Sequence, residues 1–126
     1  MGTFATGELN KMLDALCAKT DYTKSAAVYA QLHTGDPGSA GTSNVATETT
    51  RKAVTFGAAA SSGAISNTAD IEWTAVAASE TYTHISLWTA SSSGTFLGRD
   101  DLSSSAAVTA GDTFRIPTGD LDLTLS

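Results

Sequence analysis

Apolar positions along the chain change period once, near residue 26. Before that point Leu9, Met12, Leu13, Leu16 and Cys17 recur at three- and four-residue intervals, the spacing of one helical stripe. Thr6 is the expected N-cap, Glu8 stands in the first turn where the helix dipole favours a carboxylate, and Lys19 complements the other end. The pattern predicts an amphipathic helix over Gly7 to Lys19, ended by Thr20, Asp21, Tyr22 and Thr23. From Ala26 the chain alternates instead. Val28, Ala30 and Leu32 share one side of a strand, with Tyr29, Gln31 and His33 on the other.

Further alternating runs are short and separated by turn chemistry. Gly35-Asp36-Pro37-Gly38 ends the first strand and leads into a polar loop from Ser39 to Thr50, long enough to act as a contact element. Strands are expected at Lys52 to Phe56 and Ile71 to Trp73, flanking a small-residue stretch from Gly57 to Thr68. Thr83 to Trp88 and Thr95 to Gly98 read as a hairpin, with Thr83, Ile85 and Leu87 in phase. A weak strand near Ala106 to Thr109, another at Thr113 to Ile116, and a last one with Leu121, Leu123 and Leu125 in phase complete the set. About eight short strands behind one N-terminal amphipathic helix predict a mainly β chain, an antiparallel jelly-roll-like β-sandwich occupying residues 1–126 as a single domain.

Composition makes that core thin. Leu, Ile, Val and Phe together number 23 of 126 residues, and Ala is the commonest apolar residue. Burial of a large side chain contributes roughly 1.5–3 kcal/mol against about 1–2 kcal/mol of backbone entropy per ordered residue, so partner subunits are expected to add stability. A net charge of −6, with basic residues dispersed except for Arg51-Lys52, argues against nucleic acid and anionic membranes as partners. One cysteine, Cys17, excludes an intrachain disulfide framework, and its place on the helical stripe predicts a buried thiol. Met1 to Thr6 lacks the features of a secretory signal and no apolar run approaches about 20 residues, so the chain is expected to be soluble and made in the cytoplasm.

Candidate chemistry is sparse. His33 and His84 lie in predicted strands beside Ser or Thr, and a Ser-His-Asp set could be drawn with Asp36, Asp70 or Asp112. No Gly-x-Ser-x-Gly elbow supports it, and a chain with 15 serines offers such sets by chance, so surface or half-buried structural histidines are expected and no catalytic residue is assigned. One Cys and two separated His cannot supply a structural zinc set. The pairs Asp100-Asp101 and Asp120/Asp122 carry oxygen ligands without EF-hand spacing and read as wet strand ends. No phosphate loop is present, and no cofactor is expected. Trp73 and Trp88 are expected in the core.

Seven segments occur in an order that resembles small structural proteins of tailed bacteriophages. They are Val28-Tyr29-Ala30-Gln31-Leu32-His33-Thr34-Gly35-Asp36-Pro37-Gly38 with Gly41-Thr42-Ser43-Asn44, Arg51-Lys52-Ala53-Val54-Thr55-Phe56-Gly57, Ile65-Ser66-Asn67-Thr68, Thr83-His84-Ile85-Ser86-Leu87-Trp88, Gly111-Asp112-Thr113-Phe114 and Gly119-Asp120-Leu121. The resemblance covers nearly the whole chain and implies a non-enzymatic virion component. A tail fibre proper needs a repetitive shaft and a receptor tip, and neither is evident. The expected role is therefore capsid decoration or a head fibre, bound in many copies to the major capsid protein on the capsid exterior and self-associated as a trimer. A tail-associated role with tail proteins as partners is the alternative. A carbohydrate-binding module, resting on Tyr22, Tyr29, Tyr82, Trp73 and Trp88, is a third. Phe4, Leu9, Met12, Leu13 and Leu16 are the candidate contact residues, with the helical stripe expected either to cover the domain's own sheet or to meet the capsid or a neighbouring copy.

Overall fold

Inward-pointing residues of five antiparallel strands and two short ribbons meet in one apolar cluster, which is what the alternating runs require. The computed structural model describes residues 3–18, 21, 26–57 and 63–124. In chain order the elements are β1 (Thr3–Phe4), α1 (Thr6–Cys17), β2 (Val28–His33), β3 (Lys52–Val54), β4 (Ala64–Ser66), β5 (Ile71–Trp73), β6 (Glu80–Trp88), β7 (Phe96–Val108), β8 (Phe114–Ile116) and β9 (Asp122–Thr124). The main sheet has the order β1-β7-β6-β2-β3, and β4-β9 and β5-β8 form two separate antiparallel ribbons. The fold is mainly β, as the alternation predicts, and its layering is consistent with a β-sandwich. Lys19, Thr20, Tyr22, Thr23 and Leu125 lie outside the described residues.

Ala30, Leu32, Val54, Tyr82, Ile85 and Leu87 from the main sheet close on Ile71, Trp73, Ile116 and Leu123 from the ribbons, with Ala46, Val76 and Leu121 from loops. Trp73 and Tyr82 sandwich Phe114, at ring-centroid distances of 5.8 and 5.2 Å. Tyr82, and not Thr83, is the inward residue at the start of β6. The ladder explains it: Tyr82 pairs with Ala106 and His84 with Asp101, so Thr83 alone faces Leu102, Ser103, Ser104 and Ser105. This bulge shifts the inward phase of β6 and joins the two strands expected at 95–98 and 106–109 into the single strand β7.

The small-residue stretch contains a strand after all. Ile65 pairs with Leu123 and the Ser66 hydroxyl bonds Asp122, so β9 supplies the order that Ala64-Ile65-Ser66 lacks by itself. Asn67, buried at the end of β4, ties that ribbon to the 117–121 turn. Its amide nitrogen donates to Ala69 O at 2.9 Å and Pro117 O at 3.1 Å, and its Oδ1 accepts from Gly119 N and Leu121 N at 3.0 Å each. All four hydrogen-bonding positions of the side chain are filled.

Both faces of the main sheet are covered. Gln31, His33, Ser86 and Trp88 point away from the apolar cluster and are nevertheless buried, because residues 34–51 fold back over them. Pro37 and Gly41 are buried in that loop. Gly41 adopts φ +73° against the Phe96 ring, where a Cβ would stand 2.4 Å from Cδ1, so glycine alone fits the contact. The Glu80 carboxylate accepts from Thr47 N at 2.7 Å and fixes the loop's second half. Arg51 closes it: the guanidinium lies 4.1 Å from the Trp88 ring centroid, Nε donates to Gln31 Oε1, and Nη1 donates to the carbonyls of Ala90 and Ser93.

Candidate functional site

The N-terminal candidate residues are positioned by one close approach. Thr3 and Phe4 pair with Arg99 and Gly98, and a Cβ at Gly98 would stand 2.3 Å from Thr3 O, so the glycine admits β1 to the edge of β7. Ala5 N then donates to Leu97 O at 2.7 Å, while Ala5 O accepts from Glu8 N and Leu9 N and starts α1. Ala5, and not Thr6, is thus the N-cap, with no side-chain capping bond: the strand pairing sets where the helix begins.

The five candidate residues divide between two environments. Phe4 is half-buried and packs on the main apolar cluster, so it anchors the segment to its own domain. Leu9 and Met12 are half-buried. Leu13 is 58% exposed and Leu16 80% exposed, and Cys17 beside them is exposed as well, which corrects the expectation of a buried thiol. The geometry is simple. Glu8, Met12 and Ala15 lie on the side of α1 that faces shelter, and Glu8 is the helix's buried residue, bonded to Lys11 Nζ at 2.7 Å. Leu13, Leu16 and Cys17 lie around the helix from it, facing solvent. The inner part of the stripe is sheltered, and its outward half is a small apolar face.

His33, expected at the surface or half-buried, is fully buried on the outer side of β2. Nδ1 stands 2.8 Å from Ser43 O and Nε2 2.7 Å from Ser86 Oγ, which also accepts from Trp88 Nε1 at 2.7 Å. A carbonyl can only accept, so the network assigns the ring proton to Nδ1 and leaves Nε2 to accept from the Ser86 hydroxyl. Burial holds the His33 pKa below its ordinary value, and the imidazole is neutral. Ser86 and His33 have the spacing of a nucleophile and its base, but both are at 0% exposure and no substrate carbonyl can reach the hydroxyl.

His84 is placed differently. Its Nδ1 is 2.8 Å from Thr83 Oγ1 and its Nε2 3.5 Å from Asp101 Oδ1, in a shallow polar hollow shared with Thr3, Asp36 and Arg99. Asp36 accepts from Gly38 N and from Arg99 Nη1, both at 2.9 Å, and the Gly38 N–H chiefly holds its carboxyl below the usual range. Asp112 bonds Thr109 N and Asp70 bonds Thr118, so none of the three carboxylates weighed for a triad meets the Ser86–His33 pair. Among the described residues no group of three or more His, Cys, Asp or Glu side chains converges on a point. Asp101 is exposed but both acids lie within β7 and not at a strand end, and Asp100 is buried, which raises its pKa.

Trp73 and Tyr82 are fully buried, Trp88 is nearly so, and Tyr29 is half-buried, while Tyr22 lies outside the described residues. No helix among the described residues is long and apolar enough to cross a membrane.

A protein-family model described as Podophage GP4 fiber I protein gp80 matches residues 4–124. The chain belongs to that family of phage fibre proteins, which makes it a structural component of a virion. No curated protein matches the sequence.

Proposed function

We propose that the protein is a non-enzymatic capsid decoration or head-fibre subunit, bound in many copies to the major capsid protein through the outward half of α1. The observation that carries this reading is the exposure of Leu13 and Leu16 on a helix of 12 residues. A helix of that length is marginal in water on its own, and most helical stability in proteins comes from packing an apolar face. Here half of that face has nothing of the described domain against it. Among the described residues the β-rich body has no repetitive shaft, which favours attachment to a pre-formed surface over projection from it. Neighbouring copies are expected to meet as trimers where the lattice has three-fold symmetry.

Leu16→Asp tests the docking face. At 80% exposure the substitution leaves the isolated domain folded, with unchanged far-UV dichroism and unfolding midpoint. The variant is then missing from purified particles, and particles that incorporate it at the normal copy number refute the docking role.

A tail-associated position is the second reading, favoured by the family's description as a podophage fibre. Imaging of intact particles separates the two: density for the chain over the capsid shell supports decoration, and density confined to the tail replaces it.

A further inference from the structure

The loop 34–45 is joined to β2 at its base by the His33–Val45 backbone bridge and covers the outer face of β2 and β6, and among the described residues three attachments hold its far part there. Asp36 is bonded to Arg99, Gly41 is seated on the Phe96 ring, and Ser43 O accepts the Nδ1 proton of His33. The first two do not change between neutral and mildly acidic pH, since the Asp36 carboxyl is held below the ordinary range. The third does.

We infer that this loop is an acid-released latch, with His33 as its pin. The hydrogen-bond chain runs in one direction: Trp88 Nε1–H to Ser86 Oγ, Ser86 Oγ–H to His33 Nε2, His33 Nδ1–H to Ser43 O. A second proton on His33 turns Nε2 into a donor aimed at Ser86 Oγ, which already receives the Trp88 N–H. The Ser86 hydroxyl must then turn its own proton away in a site where it has no exposure to water. The ionisable groups that act on His33 are Arg51, at the end of the loop, and His84 from β6, both cationic when charged, so no carboxylate offsets the new charge, and burial outweighs the Ser43 and Asn44 backbone carbonyls that favour it. The carboxylates nearest that side, Asp36 and Asp101, are held by Arg99 and His84. Lifting the loop hydrates the imidazolium. The lowered pKa of the closed state agrees with this direction.

The sign follows from linkage. The open state titrates near the unperturbed histidine value of about 6.5 and the closed state lower. Above about 6.5 opening is independent of pH. Below it opening increases by up to tenfold per pH unit, until the closed state's own pKa is reached. The device goes beyond the docking role of α1, since it lies on a different element and changes what the particle presents after acidification: Val45, already 39% exposed, is released with the loop.

Amide hydrogen exchange on the intact chain tests it, using protection factors so that intrinsic exchange rates cancel. Between pH 7.5 and 5 the amides of Thr34, bonded to Asn44 O, and Ser43, bonded to Pro37 O, are expected to lose protection by up to tenfold per unit below about 6.5. Ile85 and Leu87 in the core are expected to hold theirs. His33→Gln, which keeps an amide donor and acceptor but cannot ionise, is expected to flatten the loop profile. Loop protection that is flat in the wild type, or that falls in parallel with the core, overturns the latch, as does an unchanged slope in His33→Gln. If that variant does not fold, the imidazole itself is followed by NMR in the wild type: ionisation coincident with loss of loop protection supports the latch, and ionisation under a protected loop overturns it.

Discussion

Replacing Asn67 should be among the most damaging single changes to this domain. Its side chain makes four hydrogen bonds, each worth about 1 kcal/mol net, an upper sum of about 4 kcal/mol. The partners reduce that sum unequally. Gly119 N keeps a bond to Asn67 O, and Ala69 and Pro117 belong to exposed residues whose carbonyls can turn to water. Leu121 is buried, so its N–H is left unsatisfied, which itself costs about 1–3 kcal/mol. Asn67→Ala is therefore expected to cost about 3 kcal/mol, a large part of the roughly 5–15 kcal/mol total of an ordinary domain. Urea unfolding followed by fluorescence of the buried Trp73 reads this as a midpoint lowered by about 1–3 M. Asn67→Asp adds a second reading. The carboxylate still accepts from Gly119 and Leu121 but faces the carbonyls of Ala69 and Pro117, so its pKa is raised in the folded state. A raised carboxylate destabilises as pH rises above its unfolded value, about 3.9, and the deficit against wild type should shrink from pH 7 to pH 4. A cost below about 1 kcal/mol for the alanine variant, or a pH-independent deficit for the aspartate variant, would refute the four-bond account.

Tyr82 is buried with its hydroxyl unpartnered among the described residues, so Tyr82→Phe is expected to be neutral or to stabilise by about 1 kcal/mol in the same urea assay. Burial pushes the Tyr82 pKa up to about 12, with Glu80 and Glu48 adding to the shift. Its folded pKa exceeds its unfolded value of about 10, so wild type loses stability as pH rises from 10 toward 12. Tyr82→Phe should lack that slope. Ala75 sits at φ +52° in an exposed turn, and Ala75→Gly should stabilise by about 1 kcal/mol, read as a higher melting midpoint. Gly41→Ala should do the reverse by about 1–3 kcal/mol, since its Cβ overlaps the Phe96 ring, and should loosen the loop over β2 without abolishing the fold.

Much of this architecture was legible in the sequence because burial on one side of a strand leaves a period-two trace. Val28, Ala30 and Leu32 in β2 and Leu121 and Leu123 near β9 lie where the alternation places them. What escaped depended on distant partners. Ala64-Ile65-Ser66 has one bulky residue and becomes a strand only against β9. Ser103, Ser104 and Ser105 interrupt the alternation and divide β7 in two on paper, although they form a bulge within one strand. His33 meets Ser86 across 53 residues, and no local period reports that the polar side of β2 is covered. Helical periodicity likewise grouped Leu9, Met12, Leu13, Leu16 and Cys17 on one stripe, but a stripe does not say what lies against it. Thr6 looked like the cap because its side chain can cap, whereas the Ala5–Leu97 bond decides the helix start. The family resemblance drew on many of the residues that tie distant parts together: His33, Asp36, Gly41, Arg51, Asn67, Ser86 and Trp88. In those segments it is a record of how the domain closes, which explains why it identified the fold more firmly than any contact site.

The division of apolar residues within the chain bears on function. With only 23 Leu, Ile, Val and Phe residues, the domain fills one side of its main sheet with most of them and covers the other side mainly with satisfied polar groups. The outer layer gains specificity of register from His33, Ser86, Trp88 and Arg51, since each has a directional partner, and it adds little to the apolar core. A domain so short of large aliphatic side chains nevertheless leaves Leu13 and Leu16 in water on a helix that needs packing. A lone exposed leucine needs no explanation on an ordinary surface. Two of them, about one turn apart beside the exposed Cys17, form the face that the proposed contact with another surface would cover. The docking test above therefore asks whether those two residues complete an assembly or have no partner at all.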